Sequence, residues 1–145
     1  YTSKAAATNW YWMVAQANNV NQLIIYGNGD IKNKNNSYGQ ISDARLKENI
    51  VDAKPKLEDI KKLKVKNFNL IGDDLKQIGL IAQEVEEVFP GLVNEDKEPD
   101  IEGGEEGGVY KSVKYSVLVP ILIKAMQEQQ EIIESLKQRI EQLEN

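Results

Sequence analysis

The sequence predicts an α+β protein: a short β-rich segment, a small mixed domain, and one long helix at the C-terminal end. Three observations carry that expectation. Residues 10–41 are rich in Asn, Gly and aromatics and nearly free of acids. Residues 57–93 switch between helical and strand-like apolar spacing within short distances. From Val119 to Leu143, apolar residues recur at alternating steps of three and four, interrupted once by Gln129.

The β-rich part comes first. Two apolar runs, Trp10–Val14 and Leu23–Tyr26, are separated by Asn-rich turns, and Gly27-Asn28-Gly29-Asp30 is a further turn signal. A lone hairpin is unstable in water. Residues 1–41 are therefore expected to be the end of a β-rich stalk completed by further strands or by other subunits. The aromatic triplet at 10, 11 and 12 fits packing in such a stalk better than stacking on a sugar.

The next segment, 43–66, changes character, with eight Lys and Arg against five acids. Leu57, Ile60 and Leu63 have helical spacing, and Pro55 stands just ahead as a first-turn proline would. Val65–Leu70 alternates as a short strand, and Gly72-Asp73-Asp74 makes a turn. Apolar residues 78, 81, 85, 88 and 89 predict an amphipathic helix over 78–89, stopped by Pro90-Gly91. Residues 94–108, acidic and glycine-rich, read as an exposed loop. Across 67–108 there are twelve acids and two lysines, a balance that favours solubility over pairing with the lysine-rich stretch. Val109–Tyr115 alternates as a strand, and Ser116 is a candidate N-cap with Pro120 near the first turn.

A long helix over 114–145 follows. Val119, Met126, Ile133 and Ile140 take the a positions of a heptad, and Leu122, Gln129, Leu136 and Leu143 the d positions. The flanks are largely charged or amide, so the seam is expected to form a coiled coil between chains. Polar Gln129 costs stability there and can fix register.

Composition removes whole classes of function. The 145-residue chain has no Cys and no His, so disulfides, thiol catalysis, the Ser-His-Asp triad and most transition-metal sites are excluded. No cofactor or metal is expected. A net charge of -5 argues against a nucleic-acid binder, and no apolar run is long enough to span a membrane. Residues 103–108 lack the Lys-Ser/Thr of a phosphate loop. The opening YTSKAAATNWYW has no signal-peptide layout and reads as the interior of a longer polypeptide.

What remains for nucleophilic chemistry is Ser–Lys, Thr–amine or carboxylate. A lysine with depressed pKa can take a hydroxyl proton and return it to a leaving amine. Ser42 and Lys47 stand five residues apart. In a regular helix they would diverge by about 140°. They meet only if Ser42 lies outside a helix, or if the lysine comes from another subunit. Ser42 or Asp43 is also a natural N-cap for a helix starting at Ala44.

The run SDARLKENI (42–50) resembles the signature S-D-x-R-x-K-x-N-I that heads the C-terminal intramolecular chaperone domains of phage endosialidases, tailspikes, tail fibres and neck appendages. Three later segments are similar to the family in the same order: KLKVKNFNL (62–70), IGLIAQEVEEVFPGLV (78–93) and SVKYSVLVPILIKAMQE (112–128). The resemblance implies a chaperone domain over 42–145 that trimerises, folds the stalk of its own polypeptide, and then cuts itself free. It implies Ser42 as nucleophile and Lys47 as base of a self-cleaving serine endopeptidase. Asp43 and Arg45 take supporting roles, either orienting the turn or raising the positive potential near Lys47. The cut adjoins Ser42, at Ile41-Ser42 through a five-membered ring or on the Ser42-Asp43 side by a route that needs another attacking group. The implied setting is a virion tail or appendage precursor assembled in the host cytoplasm, with no nucleic-acid or membrane partner. The competing expectation is a non-catalytic trimerisation and folding module.

Overall fold

The computed structural model describes residues 10–97 and 108–144. It is mixed α+β with a long C-terminal helix. The chain divides into two compact units, Tyr1–Ile50 and Val51–Asn145.

The first unit holds a three-stranded antiparallel sheet of β1 (Tyr11–Ala17), β2 (Val20–Tyr26) and β3 (Ile31–Asn33), in that order. The β1–β2 turn is made by Asn18 and Asn19, both with positive φ (52° and 58°), a backbone that suits a two-residue hairpin and that Asn tolerates. The register skips Trp12, so Tyr11 pairs with Tyr26 and Met13 with Ile25. Strand alternation then gives the sheet two apolar sides. Met13, Leu23, Ile25 and Ile31 fall on one, and Tyr11, Val14, Ile24 and Tyr26 on the other. Trp10 meets Trp12 edge-on at 5.0 Å between ring centroids. Its indole lies so close to Gly27 that a Cβ there would come within 2.1 Å of the ring, which reserves that position for glycine.

The second unit is built from α1 (Leu57–Ile60), β4 (Lys66–Phe68), β5 (Gln77–Gly79), α2 (Ala82–Val88), β6 (Val93–Lys97), β7 (Val109–Val113) and α3 (Leu118–Glu144). β4–β5 and β6–β7 are separate antiparallel pairs. The core is small: Val85, Phe89, Leu92 and Leu118 are buried together, with Ile60, Leu63 and Ile121 among the half-buried residues packed on them. Each such side chain contributes about 1.5–3 kcal/mol by leaving water. Lys111 of β7 ties this core's edge down by ion pairs to Glu86 of α2 and, at 2.8 Å, to Glu95 of β6.

Several boundaries differ from the sequence expectation. The helix expected over 78–89 begins only at Ala82, because Ile78 and Gly79 pair with β4 instead. Gly79 lies against the Tyr115 hydroxyl, which also accepts a hydrogen bond from Leu80 N–H at 2.8 Å. Residues 94–97, expected in a loop, are strand β6 paired to β7, while the glycine-rich stretch 98–107 lies outside the described residues. Ser116 sits inside a 3₁₀ turn, Tyr115–Val117, rather than capping α3. Pro55 precedes α1 rather than entering it, and the helix has no side-chain cap from its own N-cap residue. Glu128 of α3 supplies that cap, its carboxylate accepting from Lys56 N–H at 2.7 Å and Leu57 N–H at 3.0 Å.

α3 has two parts. Leu118, Ile121, Ala125 and Glu128 are at least half-buried, whereas residues 129–144 are exposed throughout.

Candidate active site

Residues 41–50 lie wholly in the first unit and are exposed. Their local structure is a single 3₁₀ turn, Ala44–Leu46, with Asp43 as its N-cap. Asp43 is extended (φ -65°, ψ 133°), and its carboxylate accepts the Arg45 N–H at 2.9 Å. An Asp ahead of a short turn does this because a bare N–H is otherwise left to solvent. The turn ends at Lys47, also extended (φ -123°, ψ 146°), whose N–H donates to Ala44 O at 3.1 Å.

This geometry brings the ends of the segment together. Lys47 Nζ donates to Ser42 Oγ at 2.6 Å. The helical divergence that would separate residues five apart does not arise, because Ser42 stands before the turn and the turn is three residues long. A hydroxyl and an amine at this distance are within reach of direct proton transfer.

Asp43 and Arg45 are joined by more than the cap. The Arg45 guanidinium donates from Nε to Asp43 Oδ1 at 3.0 Å and from Nη2 to Oδ2 at 2.7 Å. This bidentate pairing holds the Asp43 carboxyl below the usual carboxylate range and raises the Arg45 guanidinium above its ordinary value. The charge of Arg45 is thus engaged by Asp43. Its place is that of a brace on the turn more than of a free cation beside Lys47.

Asn49, two residues beyond Lys47, is the Asn of the S-D-x-R-x-K-x-N-I signature, to which the sequence alone assigns no role. It takes a left-handed backbone, φ 53°, and turns the chain after the pair. Its signal in the sequence is its place in that signature, together with the tolerance of Asn for this conformation.

Residues 42–94 match the family model Peptidase_S74, described as chaperone of endosialidase. That stretch is similar to the chaperone-of-endosialidase family. The segment opens on Ser42 itself, and it takes in SDARLKENI, KLKVKNFNL and IGLIAQEVEEVFPGLV, three of the four stretches on which the resemblance stood. No curated protein matches the chain. Among the described residues no helix is long and apolar enough to cross a membrane.

Proposed function

We propose that this chain is an intramolecular chaperone that assembles three copies through α3, supports the folding of the β-rich stalk preceding it, and is freed by cleavage beside Ser42. The observation that carries the reading is the 2.6 Å contact between Lys47 Nζ and Ser42 Oγ at the head of the chaperone segment. Lys47, once uncharged, takes the hydroxyl proton. Ser42 Oγ attacks the Ile41 carbonyl through a five-membered ring, the Ser42 nitrogen leaves carrying the returned proton, and an ester joins Ile41 to Ser42 until water hydrolyses it. Cleavage at Ser42-Asp43 instead needs the hydroxyl of a second copy or a different attacking group, because a hydroxyl reaching its own carbonyl closes a strained four-membered ring.

Burial is what favours the uncharged form of a lysine. In one chain residues 41–50 are exposed, and Ile41, Leu46 and Ile50 show 82%, 75% and 70% of their surface. Copies packed over these apolar side chains would supply the desolvation, which makes cleavage conditional on assembly. The bare second half of α3 supports assembly. A helix of that length is marginal alone in water, and Ile133, Leu136 and Ile140 are each at least half exposed along the heptad seam. In this reading the parent is a virion tail or appendage precursor.

The test is the mass of purified full-length chain over time, with the N-terminal sequence of any product. Spontaneous shortening that Ser42→Ala and Lys47→Ala each stop supports the proposal. Shortening that persists in both variants overturns the Ser42–Lys47 assignment. A second reading, a non-catalytic trimerisation module, draws on the exposure of the pair; it predicts a stable trimer of constant mass.

A further inference from the structure

We propose that the apolar cleft at the base of α3 is an intersubunit socket for Ile123 of a second copy. The inference deepens the reading above and rests on its coiled coil. The cleft, of about 320 Å³, is walled by Ile60, Leu63, Val65, Ile78, Leu118 and Leu122. Its rim is unusually bare for apolar residues, with Val65 68% and Ile78 72% exposed.

The heptad register says what fills it. With Val119 and Met126 at a and Leu122 at d, Leu118 and Ala125 fall at g and Ile123 at e. The g side is turned to the protein's own domain, since Leu118 and Ala125 are buried. The e side is open, with Ile123 53% exposed. In a parallel coil, a g residue of one helix faces the e residue five positions on in its neighbour. Leu118 therefore faces Ile123 of the second copy, and Leu118 is a cleft wall. The same offset pairs Arg139 at g with Glu144 at e. The e–g contacts are complementary at both ends of the helix, apolar on apolar at the base and opposite charges at the tip. An antiparallel pair loses both matches, so the occupant is a parallel copy of this chain.

An e position ordinarily carries a charged residue without harm to a coil. Ile123→Glu thus spares the a/d seam and tests the socket alone, beside Ile133→Glu, which breaks the seam at an a position. Sedimentation equilibrium of the full chain is expected to show association weakened at least tenfold by both. Loss with Ile133→Glu but none with Ile123→Glu overturns the socket and leaves the coil. No loss with either overturns the coil itself. A second measurement uses the absence of native cysteine. Ile78→Cys combined with Ile123→Cys is expected to give chains linked by a disulfide under mild oxidation, whereas each single variant gives at most a trace. Equal linkage in the single variants, or none in the pair, counts against the socket.

Discussion

The contact between Gly79 and Tyr115 makes a quantitative prediction. A Cβ placed on Gly79 would lie 2.7 Å from the Tyr115 hydroxyl oxygen and 3.3 Å from Phe68 Cε1. The first distance is impossible, so in Gly79→Ala the phenol has to swing away. It then gives up the bond it accepts from Leu80 N–H at 2.8 Å. Losing that bond costs about 0.5–1.5 kcal/mol. Residual crowding at Phe68 brings Gly79→Ala into the range of ordinary overpacking, about 1–3 kcal/mol. Tyr115→Phe removes the hydroxyl and so the bond, about 0.5–1.5 kcal/mol, but also removes the atom that the introduced methyl group strikes. The two substitutions are therefore coupled: Gly79→Ala should cost at least about 0.5 kcal/mol less in Tyr115→Phe than in the parent. Urea unfolding followed by far-ultraviolet circular dichroism reads the second unit, which holds α1, α2 and α3. A loss of about 2 kcal/mol lowers the midpoint by about 1 M at a slope near 2 kcal/mol/M. Equal costs of Gly79→Ala with and without the hydroxyl would refute this reasoning, and would mean that the glycine answers to Phe68 or to the strand alone.

Other expectations concern the turn and the cap. Asp43→Ala removes the cap of the 3₁₀ turn and the brace on Arg45, and should slow self-cleavage by roughly tenfold to a hundredfold through misplacement of Lys47, as read by gel densitometry; an unchanged rate removes Asp43 from any role. Because the Asp43 carboxyl is held low, the brace is complete above the ordinary carboxylate value near 3.8 and is lost as pH falls through its lowered value in the folded chain. The Arg45 Nε–H resonance, followed by NMR on acidification, should shift only in that acid range. Glu128→Ala strands the Lys56 and Leu57 N–H groups at the start of α1 and should destabilise the second unit by about 1–3 kcal/mol in a urea melt, with Glu128→Gln recovering part of the loss. Asn49→Gly should cleave at the parent rate, whereas Asn49→Val, forced to φ 53°, should lose about 1–2 kcal/mol of local order and cleave more slowly.

How much of this protein is legible in its sequence depends on how local each cause is. α3 can be read because its apolar spacing is regular and nothing breaks it after Pro120. The β1–β2 strands and the Pro90-Gly91 stop can be read for the same reason, being set by alternation and turn chemistry. The start of α2 is misplaced by the sequence pattern because Ile78 fits the helical period while its actual partner is Asn67 on β4, a pairing no local pattern reveals. Strand β6 is hidden by its acids; Glu95 and Asp96 stand in a strand because Lys111 and Tyr110 face them across the ladder. At the candidate site, composition leaves few nucleophiles and spacing alone speaks against the Ser42–Lys47 pair. The three-residue turn capped by Asp43 reverses that objection, and only the folded backbone shows the turn to be that short. Glu128 as the cap of α1 is invisible to any local reading, since donor and acceptor are more than seventy residues apart.

The sheet of β1, β2 and β3 has a practical consequence. A slab that is oily on top and underneath, with hydrogen-bonding edges along β1 and β3, has no orientation in which water is a good neighbour. Expressed without company, residues 10–33 should stack or precipitate rather than stay dispersed, and anyone trimming this polypeptide upstream of Ser42 will be handling an adhesive.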